Sequence, residues 1–269
     1  MKEKLQNAGM YIFLAIASLI SVFPLYWMAV SATNRSVDII RGTLLPGTYL
    51  LNNWAALLES QDVGSALFNT FRNASLLTIL SLLICSLAGY GFEVYHSKAK
   101  DRLMGILLLA MMVPFAATIV PLFRLFANMN LLNTTAGFML PLVSTPFLIM
   151  LFRQSARSFP HDIIEAARID GLNELQIFFR MFIPTMRPTY ASAMVIVFMN
   201  GWNNYLWPRI IMITDDGMTM PMLVANLIAG YVTDFGVLML AVFITTLPTV
   251  ILFFMLQRYF AEGITGAVK

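Results

Sequence analysis

Apolar residues along the chain gather into long runs parted by polar stretches, not into the one-sided stripe of a soluble surface helix. Six such runs stand out, at residues 10–31, 74–92, 103–123, 136–152, 190–206 and 236–256. A helix needs about 20 apolar residues to cross a bilayer. The fourth and fifth runs, each 17 residues long, sit at the short end of that range. The pattern predicts an all-α integral membrane protein with six transmembrane helices in a single domain over residues 1–269. The first run follows Lys2 and Lys4, as a signal peptide would. It exceeds the usual apolar core of such peptides, and Pro24, Tyr26 and Trp27 stand where a small-residue cleavage site belongs, so it reads as a retained span.

Composition agrees with a lipid environment: 59% of residues are hydrophobic and 12% are charged, against about 25% charged in soluble domains. The basic residues fix an orientation. Segments that six crossings place on one side (the amino end, 93–102, 153–189 and the tail) hold 12 Lys and Arg, while the other side holds five, Arg35, Arg41, Arg72, Arg124 and Arg209. The positive-inside rule makes the first set cytoplasmic. Both termini are then cytoplasmic, and residues 34–73 and 208–235 are the main external segments. Charge spread over loops in this way reads as topology and not as a nucleic-acid surface. The lone cysteine, Cys85, leaves no disulfide and no thiolate metal cluster.

In the external segments, Pro46-Gly47 marks a turn and the stretch from Trp54 to Leu58 an interfacial helix. Asp215-Asp216-Gly217 marks a tight turn. Residues 220–230 are too few to span, and form either a surface helix or a re-entrant piece.

The most telling stretch is a polar island at 158–184. Pro160 suits a first helical turn, Asp162 and Glu165 follow in the early turns, and Gly171 ends that helix with φ > 0. Asn173 with Gln176 three residues on is a capping box for a second helix, which Pro184 interrupts. The island is therefore a helix–Gly bend–helix on the cytoplasmic face. Ala166 and Ala167 allow close approach by another surface, and Glu165 and Asp170 offer charge to a basic partner.

Glu165-Ala166-Ala167, three residues, Gly171, nine residues, then Met181, Ile183 and Pro184 resemble the EAA motif of binding-protein-dependent ABC importer permeases. Met181 and Ile183 depart mildly from that motif, which usually has Ile and Leu there. Ile169-Asp170-Gly171, the run 200–208 from Asn200 to Pro208, Leu247-Pro248, Gln257-Arg258-Tyr259-Phe260 and Gly266-Ala267-Val268-Lys269 resemble the carbohydrate branch, specifically the maltose-transporter-like second permease. Pro121, the run 131–134 and Pro141 also fit.

The resemblance implies a half-pore working with a second homologous permease, two ATPase subunits and an external substrate-binding protein. Glu165, Ala166, Ala167, Asp170, Gly171 and Pro184 would form the ATPase-coupling segment, and Gly263–Lys269 a second contact. ATP and Mg would sit on the partner ATPases, with no cofactor in this chain. The loop 209–235 would reach the binding protein. Expected cargo is a di- or oligosaccharide, with glycerol phosphate or another small polar solute as the alternative.

Polar groups inside a membrane are costly and so mark candidate paths. Asn200, Trp202, Asn203, Asn204 and Tyr205 combine amides with aromatic faces, which suits sugars, although Trp and Tyr also collect at membrane interfaces. Trp207 is a weaker candidate, as are Asn69, Asn73 and Ser75 on the second run. Catalysis is not expected. His96 and His161 lie in or beside polar loops, no H-E-x-x-H occurs, and no G-x-x-x-x-G-K-[ST] loop is present to hydrolyse ATP. A self-contained carrier would show internal repeats or a buried charge relay, and neither appears.

Overall fold

The computed structural model describes residues 2–230 and 232–266, and the side chains of 7, 9–230 and 232–257. The described residues are helical with no strand. Three helices among them are long and apolar enough to cross a membrane: Gly9–Ser31, Val63–Val94 and Phe235–Gln257. A fourth crossing would require Lys98–Ala110 and Phe115–Asn128, which meet at a bend of 98°, to act as one broken span.

The boundaries differ from the hydropathy pattern in instructive ways. The second long helix begins at Val63, not at 74, so the preceding polar segment is shorter than 34–73. Asn69, Arg72 and Asn73 lower the hydropathy of its first turns without impeding a helix. The run 103–123 is split because Pro114 caps the helix Phe115–Asn128 with extended backbone, and a residue before proline disfavours the helical region. The run 136–152 likewise falls on two pieces, Thr135–Met139 and Pro146–Ala156. Thr145 caps the second by accepting from the Leu148 N–H. The run 190–206 lies mostly on Arg187–Trp202.

The chain divides into two compact units. One comprises residues 1–64 and 220–248. It is knotted by polar contacts that satisfy its non-helical backbone. Asn53, in the helix Leu50–Ser60, donates to the carbonyls of Ala32 (2.9 Å) and Asn34 (3.0 Å). Asp234 accepts from the Ser36 hydroxyl (2.7 Å) and from the N–H of Gly236 (2.9 Å), capping the last long helix. Residues Met220–Ile228 form a helix of nine residues, too short to cross.

The second unit comprises residues 65–219 and 249–269. Its helices Val63–Val94 and Pro146–Ala156 come into close contact at Gly89. A Cβ there would lie 2.6 Å from the Phe152 Cβ and 2.7 Å from the Arg153 nitrogen. Asn69 ties the Asp215–Gly217 turn to the long helix by donating to the carbonyls of Asp216 (2.7 Å) and Met218 (3.1 Å).

Candidate functional site

The polar island folds as two short helices joined at a glycine. The first, His161–Ile169, starts after Pro160 and carries Asp162 in its first turn, where the partial positive charge of a helix start favours a carboxylate. Gly171 has φ +82°. Around it the Leu172 N–H reaches the Ala167 carbonyl (3.0 Å) and the Gly171 N–H the Arg168 carbonyl (3.1 Å), the two bonds of a Schellman stop. Asn173 then opens the helix Glu174–Ile177 with a complete capping box: its Oδ1 accepts from the Gln176 N–H, and Gln176 Oε1 accepts from the Asn173 N–H, each at 2.9 Å. The bend is thus held by backbone and cap bonds made within residues 166–177.

An ion pair stiffens the bend. Arg168 Nε donates to Glu174 Oε1 at 2.7 Å. The Arg168 guanidinium first, and the Tyr95 hydroxyl after burial is offset, hold the Glu174 carboxyl below its ordinary range. A depressed folded-state pKa means the pair's support is fully present above the ordinary glutamate value, about 4.3, and fades as pH falls through the lower folded value. Protection from hydrogen exchange across 161–177, taken relative to the unfolded-chain rate at each pH, should therefore fall below pH of about 4, and Glu174→Gln should remove that pH dependence. Gly171→Ala should also weaken the bend by roughly 1–2 kcal/mol, the cost of forcing a side chain into the left-handed region. Faster exchange in the same segment, with little change elsewhere, would report it.

The island rests on a buried cluster. Ile164 and Ala167 from its first helix join Ile177, Phe178 and Phe182, together with Tyr90, Ala156, Phe159 and Met186. Tyr90 on the long helix lies 5.4 Å from the Phe178 ring and 5.0 Å from the Phe182 ring. Between the helices and Arg187–Trp202 the backbone widens into a π turn at Phe178–Phe182. Pro184 explains it: proline has no N–H to donate to the Arg180 carbonyl and its ring pushes that carbonyl aside. The Ile183 N–H instead reaches back to the Phe178 carbonyl.

The six sequence-predicted coupling residues divide by environment. Ala167 is buried in the cluster, so its small size serves packing inside this chain. Glu165, Ala166, Asp170, Gly171 and Pro184 are exposed. Beside them stand large apolar side chains left uncovered among the described residues: Ile169 is 86% exposed, Leu175 62% and Phe179 50%. An apolar group of that size, mixed with charge on a rigid bend, is the composition of a contact surface.

A charged node that sequence reading overlooked sits one turn from the cluster. Arg153 is buried, and its Nε meets Glu93 Oε2 at 3.1 Å while Nη2 meets Asp101 Oδ1. One guanidinium thus pins Pro146–Ala156 to the ends of both Val63–Val94 and Lys98–Ala110. Arg157 adds a second contact to Glu93 at 3.3 Å, and His96 one to Asp101 at 2.9 Å. Lys100 closes the end of the long helix by donating to the carbonyls of Gly91 (2.9 Å) and Tyr95 (2.6 Å).

The candidate substrate-path residues separate as well. Trp202 is buried, stacked on Phe198 at 5.6 Å and packed against Ala74, a core role. Trp207 is buried with its Nε1 donating to the Gly137 carbonyl. Asn203 and Tyr205 are exposed. Asn69 is taken up by the turn it ties, and Asn73 Oδ1 accepts from Arg72 Nε at 3.4 Å. Ser75 is half-buried. Asn200 and Asn204 come together on a cavity of about 300 Å³, joined by Ser81, Thr145, Phe147 and Ile196. Leu77, Leu142, Leu148 and Val197 complete its walls. Ser81 and Thr145 could not be singled out from sequence, because lone hydroxyls in apolar runs are common.

Comparison with known proteins supplies the family. Residues 81–266 match the model of the binding-protein-dependent transport system inner membrane component. The lactose transport system permease protein LacG of Rhizobium radiobacter is 43% identical over 269 residues, covering 100% of this chain and 98% of the relative. The arabinooligosaccharides transport system permease protein AraQ of Halalkalibacterium halodurans is 34% identical over 261 residues, 95% of this chain and 94% of the relative. The sn-glycerol-3-phosphate transport system permease protein UgpE of Yersinia enterocolitica is 31% identical over 272 residues, with 96% of each covered. The fold also matches a solved bacterial ABC transporter involved in the import of the acidic polysaccharide alginate, at a TM-score of 0.82 and 19% identity, over 97% of this chain and 98% of that one. A bent helix pair bearing the EAA pattern, apolar helices long enough to span, and these full-length likenesses together make the chain a member of the binding-protein-dependent transport system inner membrane component family, a membrane permease and not an enzyme.

Proposed function

We propose that this chain is one of two pore-forming permease subunits of an ATP-driven sugar importer, with a di- or oligosaccharide as cargo. In this reading it crosses the membrane six times, both termini and the segment 158–184 face the cytoplasm, and two ATPase subunits binding ATP and Mg dock beneath it. An external binding protein delivers the sugar, and the loop 209–235 meets it. The observation that carries the coupling role is the exposed face of Glu165, Ala166, Ile169, Asp170 and Leu175 on a bend held by a Schellman stop and a capping box. A motor can turn a pore only if it grips the permease differently in its two states, and a stiff lever passes such a difference on. The contact expected from Gly263–Lys269 falls largely outside the described residues.

Likeness to the lactose and arabinooligosaccharide permeases supports sugar as cargo; the glycerol-3-phosphate relative supplies the second reading. Affinity purification of the chain from its native membrane should bring down an ATPase and a second permease. The complex in proteoliposomes, given its binding protein and ATP, should take up lactose or a related oligosaccharide. Uptake by this chain alone, without ATP, would overturn the proposal, and uptake of glycerol 3-phosphate but no sugar would favour the second reading.

A further inference from the structure

On the helix Lys98–Ala110, Lys98, Arg102, Gly105 and Leu109 recur at alternating steps of four and three residues and so share one face. Along it runs a shallow, open groove of about 630 Å³, lined by Arg102, Gly105, Ile106, Leu108 and Leu109. All six side chains or backbones named are exposed among the described residues.

The charge at the head of this groove is unspent. Its neighbours on the helix are engaged: Lys100 donates to the carbonyls of Gly91 and Tyr95, and Asp101 holds Arg153 and His96. Lys98 and Arg102 have no hydrogen bond or ion pair among the described residues. Two cations one turn apart on a helix repel each other, so nothing inside the chain favours stacking them. The positive-inside rule asks for basic residues in this loop, but not for two of them in line above an apolar groove. Gly105 is also unexplained by the chain itself. A Cβ there would meet nothing within 4 Å, and glycine weakens a helix interior relative to alanine. Its missing side chain deepens the groove between Arg102 and Leu109.

A helix rises 1.5 Å per residue, which sets Arg102 about 6 Å and Leu109 about 17 Å beyond Lys98 along the axis. Cations at the cytoplasmic end followed by an apolar groove match a phospholipid, whose phosphate precedes its acyl chains. A guanidinium suits a phosphate through paired hydrogen bonds. A zwitterionic lipid brings a cation of its own against Lys98 and Arg102, so an anionic headgroup fits better. A protein helix laid on this face would have to carry carboxylates to the same depth, which is costly in a bilayer.

We propose that Lys98, Arg102 and the groove at Gly105 form a binding site for one anionic phospholipid of the cytoplasmic leaflet. The two cations hold its phosphate, and an acyl chain lies over Gly105 against Ile106 and Leu109. The choice of leaflet rests on the orientation proposed above.

The test is photolabelling of the purified complex in nanodiscs by phosphatidylglycerol with a photoreactive acyl chain, compared with phosphatidylcholine carrying the same chain, and labelled peptides mapped by mass spectrometry. Phosphatidylglycerol is expected to label 105–109 of this chain about tenfold more than phosphatidylcholine. Lys98→Gln and Arg102→Gln should each cut that labelling about fivefold, the worth of one basic residue facing anionic lipid, whereas Arg124→Gln, on another helix, should not. Gly105→Leu, which fills the groove, should lower it too. Equal labelling by both lipids in the wild type, or labelling unchanged in both charge variants, would overturn the site. So would p-benzoylphenylalanine in place of Ile106 joining only the partner permease, which would make this face a protein interface. None of these results bears on the orientation, which fails separately if Lys98→Cys reacts with a membrane-impermeant maleimide in right-side-out vesicles.

Discussion

Glu165→Lys is expected to abolish uptake while leaving the protein in the membrane in normal amount. The expectation follows from where Glu165 stands. It is exposed in the second turn of His161–Ile169, and its side chain makes no hydrogen bond or ion pair among the described residues. Exposed substitutions of that kind usually move stability by no more than about 0.5 kcal/mol. The fold of the bend, held by Gly171, the capping box and the Arg168–Glu174 pair, has no stake in the Glu165 charge. A complete loss of transport must then come from a surface outside this chain that meets a carboxylate and now meets a cation. Glu165→Gln, which keeps the shape, should retain part of the uptake. Normal uptake by Glu165→Lys would remove this charge from the coupling contact.

Arg153→Leu should damage the protein itself. Arg153 is buried, and it is shared by Glu93, 17% exposed, and Asp101, 44% exposed. Removing it strands Glu93 against an apolar interface, and breaking a buried pair from one side typically costs about 3–5 kcal/mol. The exposed Asp101 can recover water, and Arg157 remains beside Glu93, so the lower end of that range is expected. Against a total stability of about 5–15 kcal/mol, that is enough to cut the amount in the membrane and to lower the unfolding temperature in detergent. Glu93→Gln combined with Arg153→Met should recover part of the loss, because the stranded charge goes with its partner. An unchanged unfolding temperature in Arg153→Leu would show that the node does not hold the helix ends together.

Most of the island was legible in the sequence because its signals are local. A glycine with positive φ, a cap and its reciprocal glutamine, and a helix-starting proline each act within a few residues. What sequence could not show is which face turns inward. Ala167 belongs to the motif yet is buried beneath Glu165 and Ala166. The Arg153 node was invisible for a different reason: its partners are 52 and 60 residues away, and an arginine at a span end reads as topology. Trp202 looked suited to a sugar, but the same aromatic surface serves packing, and here it is stacked on Phe198. Hydropathy also joined what Pro114 and Pro146 separate, since an averaged apolar run does not register one missing N–H.

The central claim, that the bent segment 158–184 is the part of this permease on which an ATPase acts, is tested most directly by cross-linking. Ala166 is exposed beside Glu165, and the native Cys85 is buried in the long helix. Ala166→Cys can therefore carry a short thiol-to-amine cross-linker in the assembled transporter. The expected result is a product joining this chain to an ATPase subunit, with a yield that changes when ATP is bound. A fully active transporter in which Ala166→Cys reacts with the linker but never joins an ATPase, with or without ATP, would contradict it.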